Sequence, residues 1–174
     1  MITIRDERPS DVTAIRAVTT AAFADVRQSR QTEAAIIDVL RTAGALTLSL
    51  VAVDADDEIV GHVAVSPVTI DGAADVDWYG GGPLSVRPSR QRDGIGTALV
   101  GAAFERLRDI GARGCVLVGD PDYYRRFGFT SASSLVMPGV PPENVLALAL
   151  DDEVPAGMVA FHPAFAAAED DTPE

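Results

Sequence analysis

The stretch Leu84-Ser85-Val86-Arg87-Pro88-Ser89-Arg90-Gln91-Arg92-Asp93-Gly94-Ile95-Gly96-Thr97 decides how this chain folds. Leu84 to Val86 end an extended segment, because Pro88 has no amide hydrogen and cannot continue a strand's ladder. Beyond Gly94, the residues Leu99, Val100, Ala103, Phe104, Leu107 and Ile110 recur at helical spacing, with Glu105, Arg106, Arg108 and Asp109 on the opposite side. The stretch therefore reads as strand, turn and helix. Gly94 and Gly96 remove side chains where the backbone bends, so the amides of residues 92 to 97 can converge on an anion at the positive helix end. Arg87, Arg90 and Arg92 add three cations in a chain whose formal net charge is −12.

What is missing narrows the anion. A dinucleotide fingerprint needs a third glycine where Leu99 stands, and a P-loop needs a lysine, which this chain lacks entirely. What remains is either a pyrophosphate site or a plain tight turn. A second segment, Tyr123-Tyr124-Arg125-Arg126-Phe127-Gly128-Phe129, separates those readings. Between the two lie a helix from Ile95 to about Ile110 and a short apolar strand, Cys115 to Val118.

In order and spacing the two segments resemble the GNAT superfamily of acyl-CoA-dependent N-acyltransferases. Gln91-Arg92-Asp93-Gly94-Ile95-Gly96 looks like its Gln/Arg-x-x-Gly-x-Gly/Ala signature, and residues 123–129 look like its aromatic-Tyr-x-x-x-Gly-Phe segment. The resemblance covers roughly residues 2 to 150 and implies an α+β, three-layer α/β/α fold. In that fold a mixed, mostly antiparallel sheet of six to seven strands is splayed between strands four and five and flanked by about four helices. It also implies transfer of an acetyl group from acetyl-CoA to a primary amine by direct attack in a ternary complex. The loop from Gln91 through Arg92, Asp93, Gly94, Ile95 and Gly96 to Thr97 would hold the pyrophosphate. The pantetheine arm would pair with the strand Leu84, Ser85, Val86.

Tyr124 matches the family's tyrosine and would protonate the departing thiolate. A phenol of ordinary pKa about 10 is protonated at neutral pH; Tyr123 is the second candidate. The base that takes the amine's proton stays open among Glu33, His62 and a chain of waters, since Asp75 and Asp77 lie early for such a role. The alternative of another class is a non-catalytic acyl-CoA-binding regulatory module. A mononucleotide-binding domain is a third.

The length of 174 residues suits one domain spanning 1–174. Apolar runs fall short of the roughly 18 residues a membrane span needs, and no basic-then-apolar leader opens the chain, so a cytoplasmic protein is expected. The acidic balance argues against nucleic acid and anionic membranes. It suits a cationic small molecule or basic peptide end, although a solubility or salt adaptation, or genome base composition, accounts for it equally well. Two histidines and one cysteine offer no zinc spacing, so no metal is expected, and no Gly-x-Ser-x-Gly elbow is present. Cys115 reads as a buried hydrophobe, and His62 as a structural histidine or a base. A homodimer is a fair prior.

Along the chain, residues 2 to 5 read as an edge strand. Helices follow, capped at Ser10 or Asp11 and running from about Thr32 to Thr42, and in the family these wall the acceptor pocket. Leu46 to Val53 and Ile59 to Ile70 read as a hairpin turning at Asp54 to Glu58. Val76 to Val86 reads as strand four, where Gly80-Gly81-Gly82 suggest a bulge or a close ligand. Val145 to Leu150 reads as strand seven, and Met158 to Phe165 extends the sheet or covers it. The Ala-rich acidic end, 166–174, is expected to fray.

Overall fold

The computed structural model describes residues 1–166, so the expected fraying end, apart from Ala166, lies outside the described residues. In chain order it contains β1 (Thr3–Asp6), α1 (Val12–Phe23), α2 (Glu33–Thr42), β2 (Leu48–Val53), β3 (Ile59–Ile70) and β4 (Trp78–Val86). Then come α3 (Ile95–Asp109), β5 (Gly114–Val118), α4 (Pro121–Tyr124), β6 (Thr130–Ser131), β7 (Leu135–Val136), β8 (Val145–Ala149) and β9 (Gly157–Phe161).

Strand β2 shows why there are three layers. All six of its residues are buried, so both faces of the sheet are covered. Leu48, Leu50 and Ala52 pack with Ile95, Leu99, Ala103 and Leu107 of α3. The alternate residues Val51 and Val53 pack with Ile15 and Val18 of α1 and Ile37 of α2. Each fully buried Leu or Ile contributes roughly 1.5–3 kcal/mol relative to exposure, so α3 is pinned by Ile95, Leu99 and Leu107, none more than 1% exposed.

The hairpin between β2 and β3 closes on Asp54, whose carboxylate accepts the amides of Asp56 and Glu58 at 3.0 Å each. Helix α1 has Asp11, one of the two expected caps, at its N-cap position without a side-chain cap bond, because a short 3-10 turn, Pro9–Asp11, precedes it. The Asp11 carboxylate there accepts the Arg8 amide at 2.7 Å and pairs with Arg5 at 2.7 Å.

The main sheet runs β1-β2-β3-β4-β5-β8-β6. Its pairs are antiparallel except β4 with β5, and a parallel pair needs a crossover, which α3 supplies. That one parallel pair is short: Trp78, Tyr79 and Gly80 face Gly114, Cys115 and Val116, and beyond Gly80 the two strands part. The splay thus opens at the glycine run. Register against β3 also shifts there, between Val63/Leu84 and Val65/Gly81, the bulge that the glycines suggested.

Seven strands make this path, and β7 and β9 add a side branch. Strand β9 pairs with Val68–Ile70 of β3, and β7 pairs with β9. The region 157–161 therefore extends the sheet. Because β7 precedes it, the strand expected as the seventh is the eighth in sequence. A two-residue strand such as Leu135–Val136 shows no alternation to read.

Candidate active site

The turn after β4 is shaped by two left-handed residues, Arg92 at φ 68° and Gly94 at φ 80°, flanking Asp93. Such a reversal turns successive amides towards one point, as in anion-binding nests. Gly94 is the N-cap of α3 and supplies no side-chain cap, so the amides of Ile95, Gly96 and Thr97 lack intrahelical partners and face outward. Gly96 has a second reason to lack a side chain. A Cβ built there would lie 3.0 Å from the Tyr123 hydroxyl. The two segments that stood out in the sequence are thus in direct contact.

Of the three arginines beside the turn, only Arg92 faces the cleft. Arg87 pairs with Glu58 at 3.1 Å, and Arg90 bridges Asp54 at 3.3 Å and Asp93 at 3.1 Å, so both tie the turn to the β2–β3 hairpin. The second cleft cation is Arg126, whose guanidinium lies 4.5 Å from the centroid of the Tyr123 ring. It stands inside the quoted segment 123–129, but its role had no signal in the sequence.

The cleft itself has a volume of about 630 Å³ and is lined by Leu84, Val86, Gln91, Arg92, Gly94, Ile95, Gly96 and Thr97. Ala22, Phe23 and Val26 at the end of α1, with Tyr123, Tyr124 and Arg126, form its other wall. Two of the expected cofactor residues keep their side chains out of it. Ser85 is 1% exposed and alternates to the opposite face from Leu84 and Val86, and the Asp93 carboxylate is held by Arg90.

Two further cavities meet this cleft. One of about 370 Å³ is bounded by Phe23, Glu33, Ile36, Gly81, Gly82, Pro83, Leu84, Val118, Tyr124, Met137, Phe161 and Phe165. The other is a small apolar space of about 40 Å³ in the splay, between Gly81, Gly82 and Leu84 of β4 and Leu117 of β5. Tyr124 borders all three. Its ring rests over Gly119, where a Cβ would come within 2.6 Å of it, and meets Tyr123 and Phe129 edge-on, with centroids 4.9 and 5.9 Å away. Burial, reinforced by Tyr123 and Cys115, pushes the Tyr124 phenol up to about 12. It is protonated throughout the neutral range. Cys115 is buried too, its thiol pushed up to about 12 by desolvation, so it carries no thiolate at neutral pH.

The two carboxylate and imidazole candidates part company. Glu33 lies on the wall of the 370 Å³ cavity, beside the β4 glycines. His62 is fully buried and borders none of these cavities. Its Nε2 meets the Ser49 hydroxyl at 2.8 Å, which meets Glu7 at 2.8 Å, and Glu7 is clamped by Arg41 through contacts of 3.0 and 2.8 Å. Desolvation lowers the His62 pKa from 6.5 to about 4, Arg41 lowering it further against the opposing pull of Glu7. The imidazole is neutral at pH 7 and walled off from the cleft. Burial alone would raise the Glu7 carboxyl, but the donors Arg41 and Ser49 bring it below its ordinary value.

A strand-turn-helix with a bare helix N-terminus beside a splayed parallel pair, with a buried phenol at the splay, is the arrangement that the resemblance to acyl-CoA-dependent transferases implies. The sequence model of the Acetyltransferase (GNAT) domain matches residues 47–131. The chain is 37% identical over 130 residues, 75% of its length and 74% of the relative's, to the Uncharacterized N-acetyltransferase YhbS of Escherichia coli (strain K12). It belongs to the GNAT family of N-acetyltransferases.

Among solved structures, a GNAT family acetyltransferase from Brucella melitensis in complex with acetyl-CoA superposes with a TM-score of 0.84 at 49% identity. That match covers 95% of this chain and 98% of the other. Escherichia coli YhbS in complex with CoA superposes with a TM-score of 0.86 at 33% identity, covering 95% and 92% of the two chains. Among the described residues no helix is long and apolar enough to cross a membrane.

Proposed function

We propose that this chain binds acetyl-CoA in the 630 Å³ cleft and transfers its acetyl group directly to a primary amine held in the 370 Å³ cavity, with Tyr124 as the general acid. The observation that carries this reading is the position of Tyr124, the phenol common to the cleft, the splay and the second cavity. The pyrophosphate would accept the free amides of Ile95, Gly96 and Thr97, with Arg92 and Arg126 as its cations. The pantetheine arm would run along β4 at Leu84 and Val86, which carries the thioester to the splay.

The reaction begins when the ammonium loses a proton, to Glu33 or to water. The neutral nitrogen attacks the thioester carbon, forming a C–N bond and a tetrahedral oxyanion. As that intermediate collapses the C–S bond breaks, its electron pair goes to sulfur, and the Tyr124 hydroxyl donates its proton to the thiolate. The nitrogen's remaining excess proton is lost, and Tyr124 is reprotonated, so that acetyl-CoA and an ammonium yield an amide, CoA thiol and one proton. A phenol pushed up to about 12 is a weak acid, but the dry surroundings that raise it also raise the basicity of a thiolate formed beside it.

Release of free thiol from acetyl-CoA, measured with an amine panel for the native chain and for Tyr124→Phe, tests this. A positioned general acid contributes roughly 10²–10⁴-fold. The expected result is a loss of that order in kcat with acetyl-CoA affinity retained. Equal rates for the two proteins would remove Tyr124 from the chemistry.

A further inference from the structure

The 370 Å³ cavity has a lining of one kind. It contains a single carboxylate, Glu33, and the phenol of Tyr124; the remaining side chains are apolar or absent, with no cation, amide or aliphatic hydroxyl among the described residues. The Phe161 and Phe165 rings both line it and pack against each other, tilted by 48° with centroids 5.0 Å apart. Phe161 owes its place to Gly80, where a Cβ would lie 3.0 Å from the ring. The missing side chains of β4 therefore admit an aromatic wall.

The carboxylate is held in place. The Gln31 amide donates to the Ser29 hydroxyl at 2.9 Å, and that hydroxyl donates to Glu33 Oε1 at 2.5 Å. No described residue donates to Oε2, which leaves one fixed anionic acceptor for an ammonium.

We propose that the acceptor is a small primary amine with an uncharged, apolar body: its ammonium sits on Glu33 and its body lies among Phe23, Ile36, Phe161 and Phe165. This rests on the acetyl-transfer reading and narrows it. An amine that also bore a carboxylate or phosphate would bury a charge with no counter-charge in the wall, and a sugar amine would lose hydroxyl hydrogen bonds that the wall cannot replace. The volume is at the small end of ligand pockets, which run about 300–1,000 Å³, and suits a body the size of one aromatic ring or a branched alkyl group.

The test is a comparison of kcat/KM at saturating acetyl-CoA, by thiol release, for phenethylamine, 3-methylbutylamine, phenylalanine, spermidine and glucosamine. Phenethylamine and phenylalanine differ only in the carboxylate, and the first is expected to be better by ~100-fold or more. Glu33→Gln should raise KM for phenethylamine about 10- to 100-fold while leaving acetyl-CoA affinity unchanged. Preference for phenylalanine, spermidine or glucosamine would overturn this inference and leave acetyl transfer standing, because thiol would still be released. An unchanged phenethylamine KM in Glu33→Gln would likewise overturn it. Release of no thiol with any amine, from protein that binds acetyl-CoA by calorimetry, would overturn the transfer reading and this inference together.

Discussion

At one end of the site, in the cleft, a short run of consecutive residues, 91–97, presents main-chain amides; at the other, in the adjoining 370 Å³ cavity, Glu33, Ile36, Phe161 and Phe165 arrive from α2, β9 and the helical segment after it. The first end depends on backbone conformation, set locally by Arg92 and Gly94 in the left-handed region and by the bare N-terminus of α3. The second depends on side chains that only the complete sheet brings together, through the pairing of β9 with β3. A site made of backbone amides can be written in a few glycines, whereas a wall made of side chains is distributed along the chain.

The sharpest way to break that contrast is at the phenol between the two ends. Tyr124→Phe is expected to cost about 10²–10⁴-fold in kcat with both ligands still bound. Because burial holds the phenol near 12, the native rate is expected to show no alkaline fall from this group below about pH 10. An alkaline loss near neutrality that disappears in Tyr124→Phe would contradict the assignment, and a pH profile of both proteins checks it.

A second substitution separates the ends. Gly96→Val places a side chain where the Tyr123 hydroxyl stands, 3.0 Å from the built Cβ. It should weaken acetyl-CoA binding about 10-fold or more, as overpacking costs about 1–3 kcal/mol, and leave the acceptor's KM within a few-fold. Isothermal titration with CoA measures the first effect and steady-state kinetics the second.

The buried network at His62 belongs to neither end, and its signature should be stability alone. Its folded pKa, about 4, is below the unfolded 6.5, so the unfolded chain binds the proton first. Its contribution is complete above pH 6.5 and is lost as pH falls from 6.5 towards 4, by at most about 3 kcal/mol. Urea titrations across that range should show the loss in the native chain and a flatter profile in His62→Asn. The smallest expected effect is at Arg92: removing this cleft cation should weaken CoA about 2- to 5-fold, as expected for an exposed charge near a helix end, and more at low salt than at high. A titration series in salt reads it.

The strand-turn-helix at 84–110 and the β2–β3 hairpin were legible in the sequence because each carries a local pattern, helical spacing after a glycine bend or two apolar runs around an acidic turn, whereas Tyr124 was singled out by the family resemblance. The parallel β4–β5 pair and its splay followed from the family resemblance alone. Arg87 and Arg90 stand out in the sequence as cations beside the turn, yet the hairpin acids Asp54 and Glu58 hold them, a partnership between residues some 30 positions apart that spacing cannot reveal. Phe161 and Phe165 sit in a segment whose only signal was apolarity, and β7 is too short to have one. His62 was noticed as a polar residue in a central strand, but its partners Ser49, Glu7 and Arg41 come from three other places in the chain.

The most direct measurement is a crystal structure of this chain soaked with acetyl-CoA. The account requires the pyrophosphate on the amides of residues 95–97 and the sulfur within hydrogen-bonding reach of the Tyr124 hydroxyl, with the methyl group turned to the splay. Pyrophosphate bound elsewhere, or a sulfur that the phenol cannot reach, would contradict it.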